Sequence, residues 1–336
     1  MTNTIVSSGQ TSSGLTLNSG DFLTVLAGGT ANATDVNSGT DNVFGTVSGT
    51  VIHAGQEFVS SGGRASGTVV SFGGAQILLA GGLTTGTVIS GGFEGVSGGV
   101  ASGTIISFGG MAVSSGGTAS GATIGSGGVL QVFAGGAASA TTISAGGLQY
   151  VFSGGIDAGG TILGQRQVWA GGVASGTQIG AGGIDYVYGA ASNTTIGSGG
   201  SEIVQSGGTL SGAIVNGGFL EISSGAHASG GVAFTALGGT VRLDDSQHLD
   251  AGLIISGLTP TAGAIDFGDI GFTSGATSAA WTQAGTSGTL TLTSGALQAS
   301  VTLFGSYLAA NFKMQSDGNG GTLGECQEYC VREFRG

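Results

Sequence analysis

From Thr50 to Ile222 the chain repeats one short pattern of apolar and polar positions. A hydrophobic residue recurs at Ile52, Val70, Ile89, Ile106, Ile124, Ile143, Ile162, Ile179, Ile196 and Val215. A second column follows at Val59, Leu78, Val96, Val113, Val132, Val151, Val168, Val187, Val204 and Ile222. Successive members lie about 17 to 19 residues apart, the mark of a stacked repeat array. Each unit offers two short β-branched runs, and each run ends at glycine, so no run is long enough for a helix. The units read as strand, turn, strand, turn. A unit this small cannot bury a core alone, but stacking turns the two columns into continuous inner ladders. The pattern predicts an all-β fold: a single-stranded, right-handed parallel β-helix, or β-solenoid, with handedness following the usual crossover preference. Rungs about 4.8 Å apart make ten rungs a rod of roughly 50 Å.

The 75 glycines change the picture only in detail, because they come in pairs at the ends of runs. Paired glycine fits tight corners, and a side chain there would collide with its copy one rung away. Collagen is excluded, since it needs glycine at every third position with abundant proline, and Pro260 is the single proline.

Charge narrows the function classes. The formal net charge is −12, and before Arg242 the only basic residues are Arg64 and Arg166. Nucleic acid and anionic membranes are therefore disfavoured as partners, because both need a basic face. No apolar run is long enough for a transmembrane helix. The start reads directly into repeat-like sequence without a basic or apolar leader, so no cleavable signal peptide is expected.

In chain order, residues 1–49 are looser copies, expected as an N-terminal cap with degenerate rungs. Residues 50–223 are the regular solenoid. Residues 224–323 form an irregular C-terminal β region, expected as further rungs that close the end. Residues 324–336 are an atypical tail, with Glu325, Glu328, Arg332, Glu333 and Arg335 crowded into it. Cys326 and Cys330 lie in that tail, and without nearby histidines they make a weak metal signal.

Side chains alternate across a strand, so residues flanking the Val column point outward. That set includes Phe133, Tyr150, Phe152, Trp169, Tyr186 and Tyr188 on consecutive rungs. An outward aromatic strip can hold sugar faces or support self-association, unless a neighbouring rung covers it.

The repeats resemble the strand-loop-strand repeats of AIDA-type autotransporter passengers, surface adhesins of Gram-negative bacteria. The likeness rests on Ser60-Ser-Gly-Gly-Arg-Ala-Ser-Gly-Thr-Val-Val-Ser-Phe-Gly-Gly, with echoes beginning at Ser114 and Ser206, and spans about residues 1–230. It implies a secreted or cell-surface, non-enzymatic protein acting in adhesion or autoaggregation. It also implies O-heptosylation of turn serines by a dedicated heptosyltransferase. Carried over by position, the acceptors are the serines just before Gly-Gly: Ser61, Ser115, Ser153 and Ser206. Serine is also simply a good turn residue. The sequence contains no alternating β-barrel translocator pattern, so the expectation is export by a one-step route reading an uncleaved C-terminal signal, or a chain that is a fragment, rather than self-export.

Other chemistry has little support in the sequence. His53, His227 and His248 are far apart and mostly fall on different rungs, so no zinc site and no cofactor is expected. The loop at Ser316-Asp-Gly-Asn-Gly-Gly is a single copy, unlike repeated calcium-binding turns. Asp244 with Asp245, or Asp266 with Asp269, leaves room for a polysaccharide-acting solenoid enzyme. An acidic cluster with an arginine beside it on one face would favour that rival. The threonines Thr50, Thr68, Thr87, Thr104, Thr141, Thr177 and Thr194 raise an ice-binding alternative, though strand preference explains them more simply.

Overall fold

A computed structural model describes residues 1–327, and the chain divides into two units at 174/175. In the first unit the repeat closes into coils that stack in parallel. One coil shows the plan. Gln56–Val59 forms a first strand, Arg64–Ser66 a second and Val69–Ser71 a third. Each pairs in parallel with its counterpart in the next coil: Val59 with Leu78, Ala65 with Thr84, and Val70 with Ile89.

The coil therefore has three strands, not the two read from the pattern. The Ala-Ser pair looks like part of a turn because alanine is a poor strand former. Yet Ala65, Ala101, Ala119 and Ala138 are buried and form an inner ladder of their own. A small residue suits the narrow corner where the second strand faces the other two. Five side chains per coil point inward, as with Glu57, Val59, Ala65, Thr68 and Val70.

Two kinds of corner favour glycine, although Ala33 and Ala140 hold the first kind at positive φ. Between second and third strands the chain turns on one residue with positive φ, 61° at Gly67, which costs glycine nothing. Between first and second strands the limit is space. A Cβ on Gly63 would run into the backbone carbonyl of Val43, one coil earlier. Residues 1–49 follow the same plan from Asn3–Val6 onward, with Leu17, Val36 and Ile52 on one inner column.

The second unit begins with the same coils and ends differently. Ile184–Val187, Ser201–Val204, Phe219–Ile222, Thr240–Leu243 and Ala264–Phe267 stack in parallel. Beyond them the expectation of further rungs fails. Thr277–Ala284, Ser287–Ser294 and Leu297–Phe304 form an antiparallel meander. Ser287–Ser294 alternates strictly between half-buried and buried positions over eight residues, a hairpin pattern without paired-glycine corners. The hairpin of Phe312–Ser316 and Thr322–Cys326 lays its second strand antiparallel along Ala264–Phe267. An edge that would otherwise template more pairing is thereby covered. Residues 324–326 are thus part of a strand, and 328–336 of the expected tail lie outside the described residues.

Candidate functional site

Parallel register decides the outer surface of the first unit. Val132, Val151 and Val168 pair directly, so Phe133, Phe152 and Trp169 follow one another at one rung each. The rung spacing of about 4.8 Å is also a ring-stacking distance. Phe133 and Phe152 stack accordingly, with centroids 4.9 Å apart and planes 9° from parallel. Tyr150 joins from the adjacent strand position, 6.1 Å from Phe152. The faces of Phe133 and Phe152 are turned toward each other along the stack, so the ladder meets solvent mainly by its edges. Trp169 remains 41% exposed and Phe133 36%. In the second unit Tyr186 and Tyr188 are half-buried.

Of the turn serines, Ser153 lines one groove with Phe133, Phe152 and Trp169. Ser61, Ser115 and Ser153 in the first unit, and Ser206 in the second, are exposed in the corner after the first strand. The hydroxyls of Ser61 and Ser206 lean over Gly81 and Gly225 of the following coil, 3.0 and 2.7 Å from where a Cβ would stand. In this corner the position after that of the serine is glycine because the backbone there takes positive φ, as at Gly81 (+77°) and Gly225 (+76°).

The interior holds chemistry that the sequence reading missed. One inner position of the first strand runs Leu23, Asp41, Glu57, Gln76, Glu94, Met111, Leu130, Gln149, Arg166 up the first unit. All are buried. Gln76 donates to Glu57 at 2.6 Å, and Thr104 and Thr84 donate to Glu94 at 2.9 and 3.0 Å. Thr87 donates to Gln76 at 2.9 Å. The threonine column therefore faces inward, and this removes the ice-binding alternative, which needs threonines on the outside. Arg166 reaches Asp157 at 2.7 Å, with both side chains almost fully enclosed. Burial pushes Asp41 up to about 8, helped by the neighbouring charge of Glu57. Burial likewise raises Glu57, and raises Glu94 to about 7 against the pull of its threonine donors.

Two polar clusters lie in the second unit. Arg242 binds Asp244 at 2.7 Å and Asp266 at 3.2 Å, and stands 3.6 Å from Asp317. Asp317 also accepts the backbone N–H groups of Asn319 and Gly321 at 2.7 Å each. The guanidinium thus ties two coil strands to the closing hairpin. Burial raises Asp266 to about 6, while Arg242 pulls it down. Elsewhere, a cavity of about 210 Å³ is lined by His227, His248, Asp245 and Asp250. His227 lies 3.3 Å from Asp250 and His248 2.7 Å from Asp245. The expectation that the histidines lie apart is corrected for these two. They are 21 residues apart in sequence, about the length of one coil, so stacking brings them together. Among the described residues no cluster of three histidine, cysteine or carboxylate groups is arranged to hold a metal. Nor is any helix long and apolar enough to cross a membrane.

No protein-family model and no curated protein matches the chain. Among solved structures it is similar to a fragment of TibA, residues 55–350 of that protein, hyper-glycosylated by TibC. The two are 35% identical with a TM-score of 0.66. The match covers 78% of this chain and 93% of the TibA fragment.

Proposed function

As the chain belongs to the AIDA-type passenger repeat family of that TibA fragment, we propose that it is a non-enzymatic adhesin displayed outside a Gram-negative cell. In this reading the solenoid is a stiff spacer that carries repeated turn serines and an aromatic ladder on its surface. The serines Ser61, Ser115, Ser153 and Ser206 take O-linked heptose from a heptosyltransferase. The surface then engages glycans or a second copy of the protein. The observation that carries the reading is the likeness to a glycosylated fragment over nearly its whole length, together with exposed serines at repeated corners.

Autoaggregation of cells displaying the protein tests the role. Replacing Tyr150, Trp169 and Tyr186 with serine is expected to abolish clumping or glycan binding while the β-sheet spectrum stays intact. Unchanged clumping by the triple variant would remove the aromatic surface from the function.

One observation favours a second reading, a polysaccharide-acting site. Arg242 amid Asp244, Asp266 and Asp317 is the acidic cluster with an arginine that such a site requires. Against it, all three carboxylates are turned onto the guanidinium as a structural tie. A panel of polysaccharides incubated with the protein, with Asp266→Asn as control, separates the two readings.

A further inference from the structure

The four candidate serines do not have equal surroundings. In the corner after the first strand, the residue just before the serine stacks from coil to coil. Around Ser61 that column reads Phe44, Ser60, Leu79. Around Ser115 it reads Ser97, Ser114, Phe133. Around Ser153 it reads Phe133, Phe152, Trp169, an aromatic ring on its own coil and on both neighbours.

The serine column is as small here as around Ser61 and Ser115, so the aromatic column is what sets Ser153 apart. The coil before Ser153 carries Ala134 and the coil after carries Ala170. Ser153 is therefore the one hydroxyl in an open apolar groove lined by Phe133, Ala134, Phe152, Trp169 and Ala170. No side chain longer than a methyl group competes for the space beside it. Its Oγ leans over Gly171, on the coil that carries Trp169.

Exposed aromatic surface of this kind is covered favourably by a ligand with one apolar face and one polar face. A sugar ring is such a ligand: its C–H groups pack along the apolar ring edges that the ladder presents, and its hydroxyls stay in water. We infer that the Phe133–Phe152–Trp169 groove is the bed for the sugar carried by Ser153, which lies down along the ladder rather than projecting into solvent. This rests on the reading that turn serines are glycosylated. The transfer itself needs a nucleotide-activated heptose. The serine Oγ bonds to the anomeric carbon as that carbon's bond to the nucleoside diphosphate breaks. The diphosphate leaves with the electron pair, and the serine proton passes to a base of the transferase.

A bedded sugar shields Trp169 and fixes itself, whereas sugars on Ser61 and Ser115 do neither. The chain has only two tryptophans, Trp169 and Trp281, so Trp281→Phe leaves Trp169 as the single reporter. Should that variant not fold, the same quantities are read as the difference between wild type and Ser153→Ala, in which Trp281 is common to both.

The experiment compares protein made with and without a co-expressed heptosyltransferase, with the occupied serines mapped by peptide mass spectrometry. Modification is expected to shift Trp169 emission to the blue and to lower its quenching by acrylamide about twofold as solvent is excluded from the ring. Ser153→Ala abolishes both changes, and Ser61→Ala or Ser115→Ala leaves them in place. Occupied Ser153 with unchanged Trp169 emission overturns the bed and leaves the glycosylated-adhesin reading standing. Modification at Ser61 and Ser115 but not Ser153 also overturns it. No modified serine anywhere overturns both the bed and the functional reading.

Discussion

Replacing Arg166 with alanine is expected to destabilise the first unit by about 3–5 kcal/mol, the usual result of stranding one member of a buried ion pair. Arg166 is the bulkiest fully buried side chain among the described residues, and its head group meets Asp157 at 2.7 Å. The two sit on adjacent coils, Asp157 replacing the usual alanine of the second strand and Arg166 standing in the first strand of the next coil. Neither has access to water. Without arginine, the Asp157 carboxylate stays buried with that partner lost, which costs stability. Urea unfolding followed by circular dichroism reads the effect. A shift within error for Arg166→Ala would show that the pair does not hold the coil.

The second large effect is on pH. Asp41 and Glu94 are held above their ordinary values, at about 8 and about 7, chiefly by burial. Glu57 moves the same way for the same reason. The groups that face them along the inner column are Leu23, Gln76 and Met111, with Thr84 and Thr104 as donors to Glu94 and no base in contact. An acid whose native value lies above its unfolded value favours folding while it keeps its proton. That contribution is fully present below about pH 4, and it declines as pH rises toward about 7 for Glu94 and about 8 for Asp41. The slope is up to about 1.4 kcal/mol per pH unit for each group. The melting temperature is therefore expected to fall between mildly acidic and mildly alkaline buffer. Asp41→Asn and Glu94→Gln remove the titrating groups and should flatten the dependence. A melting temperature that rises with pH over this window would contradict the burial account.

These two predictions come from the part of the molecule that was hardest to read in the sequence. The Ile and Val columns were legible because parallel stacking forces one hydrophobic residue to the same place in every coil. The corner glycines were legible for a similar reason, since the same corners recur in every coil, some limited by the coil before and some held at positive φ. The second strand was not, because Ala-Ser-Gly has the composition of a turn and its burial depends on the other two strands. The polar interior was hidden by the same kind of ambiguity. Glu57, Gln76 and Glu94 look like outward residues until the register places Gln76 over Glu57. Their partners lie 10 to 19 residues away in sequence, beyond the reach of any local pattern.

The surface was half legible. Alternation along the strand indicates the direction of Phe133, Tyr150 and Phe152, but not that the rings use the rung spacing to stack on one another. Nor does it distinguish Ser153 from Ser61 and Ser115, because that distinction lies in the coils above and below. His227 and His248 were separated by the same limitation and met only when the coils were stacked.

The most direct test of the account is the intact mass of the protein made beside a heptosyltransferase, set against the same chain made alone. A mass above 32.0 kDa by whole heptose units, reduced when Ser61, Ser115, Ser153 and Ser206 are replaced by alanine, is the expected result. An unmodified mass in the presence of an active transferase would contradict the proposal that these turns are its substrate.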